Sequence, residues 1–531
     1  ILKEYKLTGI SVAIVDDYKI IHAEAAGLKE FGTDNKIDTG TAFSTASVSK
    51  AITGIIAAML AEEGVLDLDA PVSMYLKRWH LSASEFTEKR PITIRHLLTH
   101  TAGTSQSGFA DFYPGDDIPT ILESLNGIKL PNYDKPIEVM WSPQTRFKYS
   151  GGGFVIAQVA MEDATGKTLA QLAQEMLFQP LGMKNSSMEQ VGHPDFPKNV
   201  AKAHNFEQKL IGPGGILINP QIAAGGLWSS AVDMAKLVID IQKALAGKPS
   251  TVVSPWVANE TTRLQTLHKA GGWSLGWARN QAEGNIDWFS HLGYNTGIGG
   301  AVLGSMNGGK AIIAFGNGVH RVRVPAIDAV IKDSINVLGW KKTIAASPKK
   351  PTDEMIQNMV GTYQNLNQGY WSPFHEVISI KETENGLVLQ NSIGRRPSKE
   401  LIYVGDGKFR IDQFSNAEIS LQINPVDNLH HLAFTRGTSN LISYPLKKTS
   451  DAGLLPFEIA ASRSYGEALA AYKTWQANKS DSTLLSARNL ILAGKHSLSK
   501  GNTSGARNFF KVCLALHPDN KTAKDLLASL K

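Results

Sequence analysis

The sequence lacks the residues and runs that several protein classes require. One cysteine in 531 residues excludes an internal disulfide and every cysteine-rich metal site, and it leaves cytoplasm and periplasm undistinguished. No apolar run reaches the ~20 residues of a membrane-spanning helix, so we expect any membrane link to come from a lost leader or anchor. H-E-x-x-H, phosphate-loop and dinucleotide motifs are missing too, so the sequence predicts no metal and no cofactor.

The charge balance does not indicate a polyanionic partner. Lysine and arginine total 54 against 48 acidic residues, a net charge of +6 without clustered basic stretches. We therefore expect no nucleic acid partner. The chain begins Ile1-Leu2-Lys3 without an initiator methionine, which suggests a processed or trimmed N-terminus.

Apolar periodicity predicts an α+β domain over residues 1–345. Residues 9–27 alternate like a β-hairpin, and residues 287–318 read as successive strands turned at Asn307-Gly308-Gly309. Between them, Ile52, Ile55, Ile56 and later apolar residues follow helical spacing up to a glycine. Strands at both ends around central helices predict one antiparallel sheet built from distant segments.

Two further domains are predicted beyond a linker at residues 341–354, which is rich in lysine, proline and small residues. Residues 355–448 alternate between apolar and polar with frequent turns, a pattern typical of a small antiparallel β-barrel or sandwich, and we predict the barrel. Residues 457–531 form short amphipathic helices similar to a tetratricopeptide-type hairpin. These helices would either bind a peptide or protein partner or cap their neighbours.

The spacing of Ser47 and Lys50 predicts a catalytic pair at the start of the apolar helix. Residues three apart share a helix face, so the amine can reach the hydroxyl and act as its base. Apolar surroundings and the helix N-terminus would lower the lysine pKa, which makes a neutral amine available near pH 7. Taken alone, the pair also fits an N-cap serine followed by a solvated lysine.

Two other stretches carry candidate site residues. Tyr149 precedes Ser150 and three glycines just before a predicted helix, which fits a phenol held over a tight loop. His291 and Gly293 lie in a strand-like run, where the glycine would let a substrate lie against the strand edge. The loop GFADFYPGDD, residues 108–117, and Trp141 are candidate linings of the substrate entrance. Taken singly, Tyr149 fits a core aromatic with its hydroxyl satisfied better, and His291 fits a surface strand residue better. Surface packing accounts for some of the loop aromatics.

Together and in this order, these motifs resemble the serine penicillin-recognising family of the β-lactamase and transpeptidase fold. The similarity is greatest to the subgroup of class C β-lactamases, D-amino-acid peptidases and family VIII esterases. TIRHLLTHTAG at 93–103, PLGMKNSSM at 180–188 and AAGGLWSSAVDMAKL at 223–237 add to it, and the resemblance covers roughly residues 5 to 340. An appended β-rich domain also occurs in peptidases of that subgroup.

The resemblance implies a role for each matching residue. Ser47 would be the acylated nucleophile, Lys50 its base, and Tyr149 the second proton-transfer group. His291 stands where many members have the lysine of K-T-G. The backbone N–H groups of Ser47 and Tyr294 would form the oxyanion hole, with stabilisation of ~3 kcal/mol per donor.

One departure from the family pattern, at Gly151, and the His-x-Gly form that this chain shares with some members bear on the substrate. Gly151 replaces the asparagine of the Tyr-x-Asn motif, whose amide normally contacts the lysine and the substrate amide. We expect weakened β-lactam hydrolysis and a wider site that accepts esters or short peptides. His291 in place of lysine should make carboxylate recognition depend on pH near neutrality.

The sequence thus predicts a metal-independent serine hydrolase acting on small amides, esters or short D-amino-acid peptides through an acyl-enzyme. A binding protein that senses peptidoglycan fragments or a protein partner with the same fold is the alternative. By family resemblance, we expect a periplasmic or secreted protein.

Overall fold

The structure is a computed structural model whose described residues form two compact units. These residues are 1–145, 147–268, 271–280, 286–340, 348–365, 377–384, 386–391, 399–411, 417–423, 430–436, 439–450, 456–478, 485–499 and 501–530. The first unit comprises Ile1–Thr343 with Gly437–Leu441, and the second comprises Ile344–Arg436 with Ile442–Lys531. Residues 341–347 of the predicted linker lie outside the described residues.

An eight-stranded antiparallel sheet lies at the centre of the first unit. Its order is β2-β1-β10-β9-β8-β7-β6-β5, with bounds β1 Gly9–Asp16, β2 Lys19–Gly27, β5 Thr266–His268, β6 Gly271–Trp273, β7 Ala278–Asn280, β8 Trp288–Asn295, β9 Ile298–Ser305 and β10 Ala311–Asn317. Asp17 and Tyr18 join β1 to β2 with φ of 45° and 60°, the left-handed region that tight two-residue hairpins favour. Because β1 pairs with both β2 and β10, distant segments share one sheet, which confirms the predicted α+β arrangement.

Helices cover both faces of this sheet. Their bounds are α1 Leu2–Tyr5, α2 Ser49–Glu62, α3 Glu85–Lys89, α4 Ile94–Leu98, α5 Ile121–Leu125, α6 Gly151–Thr165, α7 Leu169–Ala173, α8 Ile222–Gly225, α9 Ala231–Leu245, α10 Pro255–Thr262 and α11 His320–Val337. Helix α2 is buried along most of its length in the larger core, which also holds α6 and α9. Helix α11 packs its apolar residues on the other face, against Trp288 and Ile312.

A two-stranded sheet brings the start of α2 next to a distant segment. It pairs β3, Phe43–Ser44, with β4, Trp228–Ser229. One residue beyond β3, the Thr45 N–H donates to the carbonyl of Leu227 at 2.9 Å. The chain that leads into Ser47 is therefore held beside residues 223–229.

The second unit contains an eight-stranded antiparallel barrel, as predicted for this region. Neighbouring strands follow sequence order from β11 to β18, with bounds β11 Gly361–Asn365, β12 Val377–Thr383, β13 Gly386–Asn391, β14 Lys399–Gly405, β15 Lys408–Ile411, β16 Ala417–Ile423, β17 His430–Arg436 and β18 Ser439–Ser450. Tyr363, Ile380, Phe409 and Ile419 belong to its apolar core.

The described residues of the second unit also form six helices: α12 Asp353–Met359, α13 Pro456–Ser462, α14 Tyr465–Asn478, α15 Ala487–Ser499, α16 Thr503–Leu516 and α17 Lys521–Ala528. The last five share a core that includes Phe457, Tyr472, Phe509 and the buried Cys513. Their tetratricopeptide-type identity stays a prediction. Within the described ranges, no helix combines the length and apolar character needed to cross a bilayer.

Candidate active site

Ser47 lies in a strained turn between β3 and α2. Ala46, directly before it, is buried and has φ 49°, a left-handed conformation that costs a non-glycine residue about 1–3 kcal/mol. The Ser49 hydroxyl stabilises the turn because it donates to the Ala46 carbonyl at 2.6 Å and accepts from the Leu227 N–H at 2.8 Å. Helix α2 begins at Ser49, so Ser47 lies in the turn before the helix and not in its first turn.

The amine of Lys50 lies beside the Ser47 hydroxyl inside the protein. Nζ is 3.2 Å from Ser47 Oγ and donates to the Ala224 carbonyl at 2.7 Å. The rings of Tyr149 and Phe154 lie 4.8 and 5.5 Å from the amine. Burial lowers the pKa of Lys50 to about 7, so a large share of the amines is neutral near neutral pH. A neutral amine with a free lone pair can accept the Ser47 proton.

Tyr149 is held beside Ser47 by the chain segment around it. His100 accepts the Ser150 N–H at 3.0 Å through Nδ1, and its carbonyl accepts the Lys148 N–H at 2.8 Å. The His100 ring also packs on the Tyr149 ring, with centroids 4.3 Å apart. Burial raises the pKa of Tyr149 above its ordinary value, against the opposite effect of a hydrogen bond with Ser47. The phenol therefore stays protonated and is suited to passing a proton on.

His291 lies on β8 but does not behave as expected from the sequence. Burial, together with the proximity of Lys50, lowers its pKa to about 3. Its Nδ1 lies 2.8 Å from the Leu292 carbonyl and its ring packs edge-on against Trp273. The predicted titration near neutrality is therefore wrong, because the imidazole is enclosed and not open to solvent. It is neutral wherever Lys50 could act as a base.

Two glycines of the site leave room for other parts of the chain. A Cβ at Gly293 would lie 2.0 Å from the Thr45 carbonyl, so this glycine lets β8 lie against the turn that carries the serine. A Cβ at Gly151 would lie 3.0 Å from the Phe109 ring and 3.1 Å from the Ser107 carbonyl. The expected widening at position 151 is therefore wrong, because the Phe109 ring fills that space.

Backbone N–H groups are available for an oxyanion. In the described part of the structure, the Ser47 N–H donates to no other group. Tyr294 pairs with Gly299 of β9, whereas β7 pairs with β8 only as far as Ser290. The edge of β8 at Tyr294 is thus open on the side away from β9. These are the two positions that the sequence predicted for the oxyanion hole.

A cavity of about 110 Å³ brings most of the predicted residues together. It is far smaller than the roughly 300–1,000 Å³ that a drug-sized ligand needs. Its lining residues are Ser47, Lys50, Ser107, Gly108, Phe109, Tyr149, Gly151, Asn219, Gln221, Ala224, Gly225, Tyr294 and Asn295. His291 and Gly293 lie behind this wall, and Trp141 of the expected entrance is buried elsewhere.

Sequence reasoning missed the segment that holds Lys50 from the opposite side. Besides the Ala224 carbonyl, the Ala223 carbonyl accepts the Thr53 hydroxyl at 3.0 Å. Gln158 accepts the Ala223 N–H, and Gln190 donates to the Gly226 carbonyl. The motif quoted at 223–237 contains these alanines, but a backbone carbonyl leaves no signature in the side-chain pattern.

A family model agrees with this geometry. The model described as Beta-lactamase matches residues 1–333. The chain belongs to the Beta-lactamase family. The match includes the Ser47 turn, Lys50, Tyr149 and strand β8, so the candidate site lies wholly inside the family region.

Relatives with known names match this Beta-lactamase family member at low identity. Teichoic acid D-alanine hydrolase of Staphylococcus aureus is 24% identical over 236 residues, which are 44% of this chain and 54% of the relative. The same protein from strain MRSA252 is 24% identical over 238 residues, with the same shares. The chain thus spans about half the length of these curated relatives.

Two solved structures share the fold. The octameric penicillin-binding protein homologue from Pyrococcus abyssi has a TM-score of 0.51 at 20% identity, covering 84% of this chain and 97% of that one. The β-lactamase/D-alanine carboxypeptidase from Yersinia pestis complexed with citrate has a TM-score of 0.50 at 18% identity, covering 64% and 95%.

Proposed function

We propose that the protein is a serine hydrolase that acts on small amides or esters through an acyl-enzyme on Ser47. The observation that carries this proposal is the buried amine of Lys50, 3.2 Å from the Ser47 hydroxyl with a pKa of about 7. Tyr149, hydrogen-bonded to the same hydroxyl, supplies the second proton-transfer group.

In the acylation step, Ser47 Oγ bonds to the substrate carbonyl carbon while its proton passes to Lys50 Nζ. The oxyanion that forms is stabilised by the N–H groups of Ser47 and Tyr294. The bond to the leaving group then breaks, and the leaving group takes a proton from the Tyr149 phenol, which is replenished from Lys50. In deacylation a water molecule attacks the ester, its proton returns through the same groups, and Ser47 is released.

Small acyl groups suit the cavity because it holds only about 110 Å³. The names of the relatives, a D-alanine hydrolase and a D-alanine carboxypeptidase, support a D-amino-acid ester or peptide as substrate. Phe109 fills the space above Gly151, so no side-chain amide is available there for a β-lactam. We therefore expect nitrocefin to be a poor substrate.

A fluorophosphonate probe tests the proposal directly. It should label the wild-type protein on Ser47, and Ser47→Ala should remove the label. Ser107→Ala is the matched control, since it alters another serine in the cavity lining and should keep the label. An unlabelled wild type that also fails to turn over esters would refute a hydrolase and favour a binding protein.

A further inference from the structure

One wall of the cavity contains a chain of amides that ends at a carboxylate. The Asp111 carboxylate accepts the Thr296 N–H at 2.9 Å and lies 3.5 Å from Asn219 Nδ2. Asn219 Oδ1 in turn accepts Asn295 Nδ2 at 2.9 Å. Both asparagines line the cavity, so the carboxylate is linked to the cavity wall through two side chains.

This series of hydrogen bonds determines which atom of the Asn295 side-chain amide is free. An ionised carboxylate only accepts hydrogen bonds, so Asn219 presents its NH₂ group to Asp111 and its oxygen to Asn295. Asn295 then donates both amide hydrogens, one to Asn219 and one to Ser44 Oγ at 2.8 Å. The Asn295 oxygen remains as an acceptor without a partner among the described residues.

Gln221, a second lining residue, is oriented by the same kind of reasoning. The Ser124 hydroxyl donates to the Thr120 carbonyl at 2.8 Å, so it can only accept from Gln221. Gln221 Nε2 provides that bond at 2.8 Å. Its amide oxygen has no partner in the described part of the chain. The cavity thus offers two unpaired amide oxygens.

The charged groups near the cavity are Lys50, Arg323 and Asp111. Among its described lining residues, Lys50 is the one that can be positive, and it is the base of the proposed reaction. His291 is neutral and lies behind the wall. The guanidinium of Arg323 is fully buried behind Tyr294, with 6.0 Å between its central carbon and the ring centre. Burial lowers the pKa of Arg323 to about 10, and the electrostatic attraction of Tyr294 and Asp111 acts against that lowering. Asp111 is therefore linked to the lining by hydrogen bonds and to Arg323 by charge, so the free amide oxygens are what favours an ammonium group.

We propose that the site selects acyl donors that carry a free ammonium group, bound by the amide oxygens of Asn295 and Gln221. Asp111, through Asn219, holds the Asn295 amide in the orientation that leaves its oxygen free. An ammonium group brings three donors and a positive charge, and hydrogen bonds to charged groups are stronger than neutral ones. This inference rests on the proposed function, and it narrows the substrate class to aminoacyl esters and amides with a small side chain.

Four methyl esters with one leaving group test the inference on the full chain at pH 7. They are the methyl esters of D-alanine, N-acetyl-D-alanine and propionic acid, together with monomethyl succinate. Hydrolysis is measured as the release of methanol, the leaving group that all four share. We expect kcat/KM for the D-alanine ester to exceed those of the other three by about tenfold or more, the size of one charge-assisted hydrogen bond.

Two variants should reduce this preference. Asp111→Asn removes the charge and keeps the shape, and Gln221→Met removes one acceptor, so each should lower the ratio of D-alanine ester to propionate ester turnover several-fold. Asp116→Asn is the matched control, since this nearby carboxylate accepts the Tyr113 N–H and does not line the cavity. It should leave the ratio unchanged. Thermal melting identifies any variant that fails to fold.

The outcomes separate this inference from the proposed function. Equal turnover of the D-alanine and propionate esters, with Ser47 labelled by fluorophosphonate, would leave a hydrolase and overturn ammonium selection. A preference for monomethyl succinate would also overturn it and would point to Arg323 as the recognising cation. No turnover and no label would remove the proposed function and this inference together.

Discussion

The pH dependence of acylation follows from the environment of Lys50. The amine must be neutral to accept the Ser47 proton, and burial brings its pKa to about 7. About one amine in eleven is then neutral at pH 6 and about ten in eleven at pH 8, so kcat/KM should rise roughly tenfold between these values. The sign is fixed because the active form is the deprotonated one.

Methyl propionate suits this assay because the substrate itself does not titrate. The profile of kcat/KM from pH 5 to 9 reports groups of the free enzyme. His291, with a pKa of about 3, does not change its charge in this range. Burial lowers the pKa of Lys148 to about 8, so this lysine also titrates in the measured range. Lys148→Met is the control, and it should keep the inflection near 7 if that inflection belongs to Lys50. An inflection near 10, or a rate that falls as pH rises, would refute Lys50 as the base.

Three further predictions concern the packing of the site. Lys50→Met should raise the free energy of unfolding by up to a few kcal/mol below pH 7, and the difference from the wild type should vanish toward pH 10.5. The reason is that the pKa of Lys50 is lower in the folded state than in the unfolded state, so the wild type gains stability as pH rises. The same difference in unfolding free energy at pH 6 and pH 9, measured with urea, would contradict this. Gly293→Ala places a methyl group 2.0 Å from the Thr45 carbonyl. It should lower the free energy of unfolding by about 1–3 kcal/mol and slow the labelling of Ser47 by fluorophosphonate. An unchanged melting temperature and an unchanged labelling rate would count against the close contact. Gly151→Asn should lower the melting temperature, and adding Phe109→Ala should restore it, whereas additive losses would exclude a direct clash.

The sheet and the catalytic pair were accessible from the sequence because local patterns encode them. Alternating residues over 9–27 and 287–318 predicted strands that the structure places in one sheet. The spacing of Ser47 and Lys50 predicted their contact, since three residues of near-helical chain bring the two side chains together whatever the rest of the fold does.

The remaining features depend on contacts between residues far apart in the sequence. The Ala224 carbonyl that accepts the Lys50 amine is 174 positions away. A strand pattern does not reveal whether His291 is exposed to solvent or enclosed by protein, and its burial, together with the nearby Lys50, lowers its pKa to about 3. The Phe109 ring over Gly151 is likewise set by loop packing, which no periodicity encodes.

The way in which the structure holds Lys50 explains how a lysine serves as a base in this site. A carboxylate beside the amine would orient it but would also favour its charged form and raise its pKa. Lys50 is oriented instead by the uncharged carbonyl of Ala224, and its pKa is lowered by burial without an opposing carboxylate. The acidic group of the site, Asp111, is separated from the cavity by Asn219 and Asn295. In this arrangement Asp111 orients the amides that would accept an ammonium group, while Lys50 remains neutral enough to take the proton of Ser47.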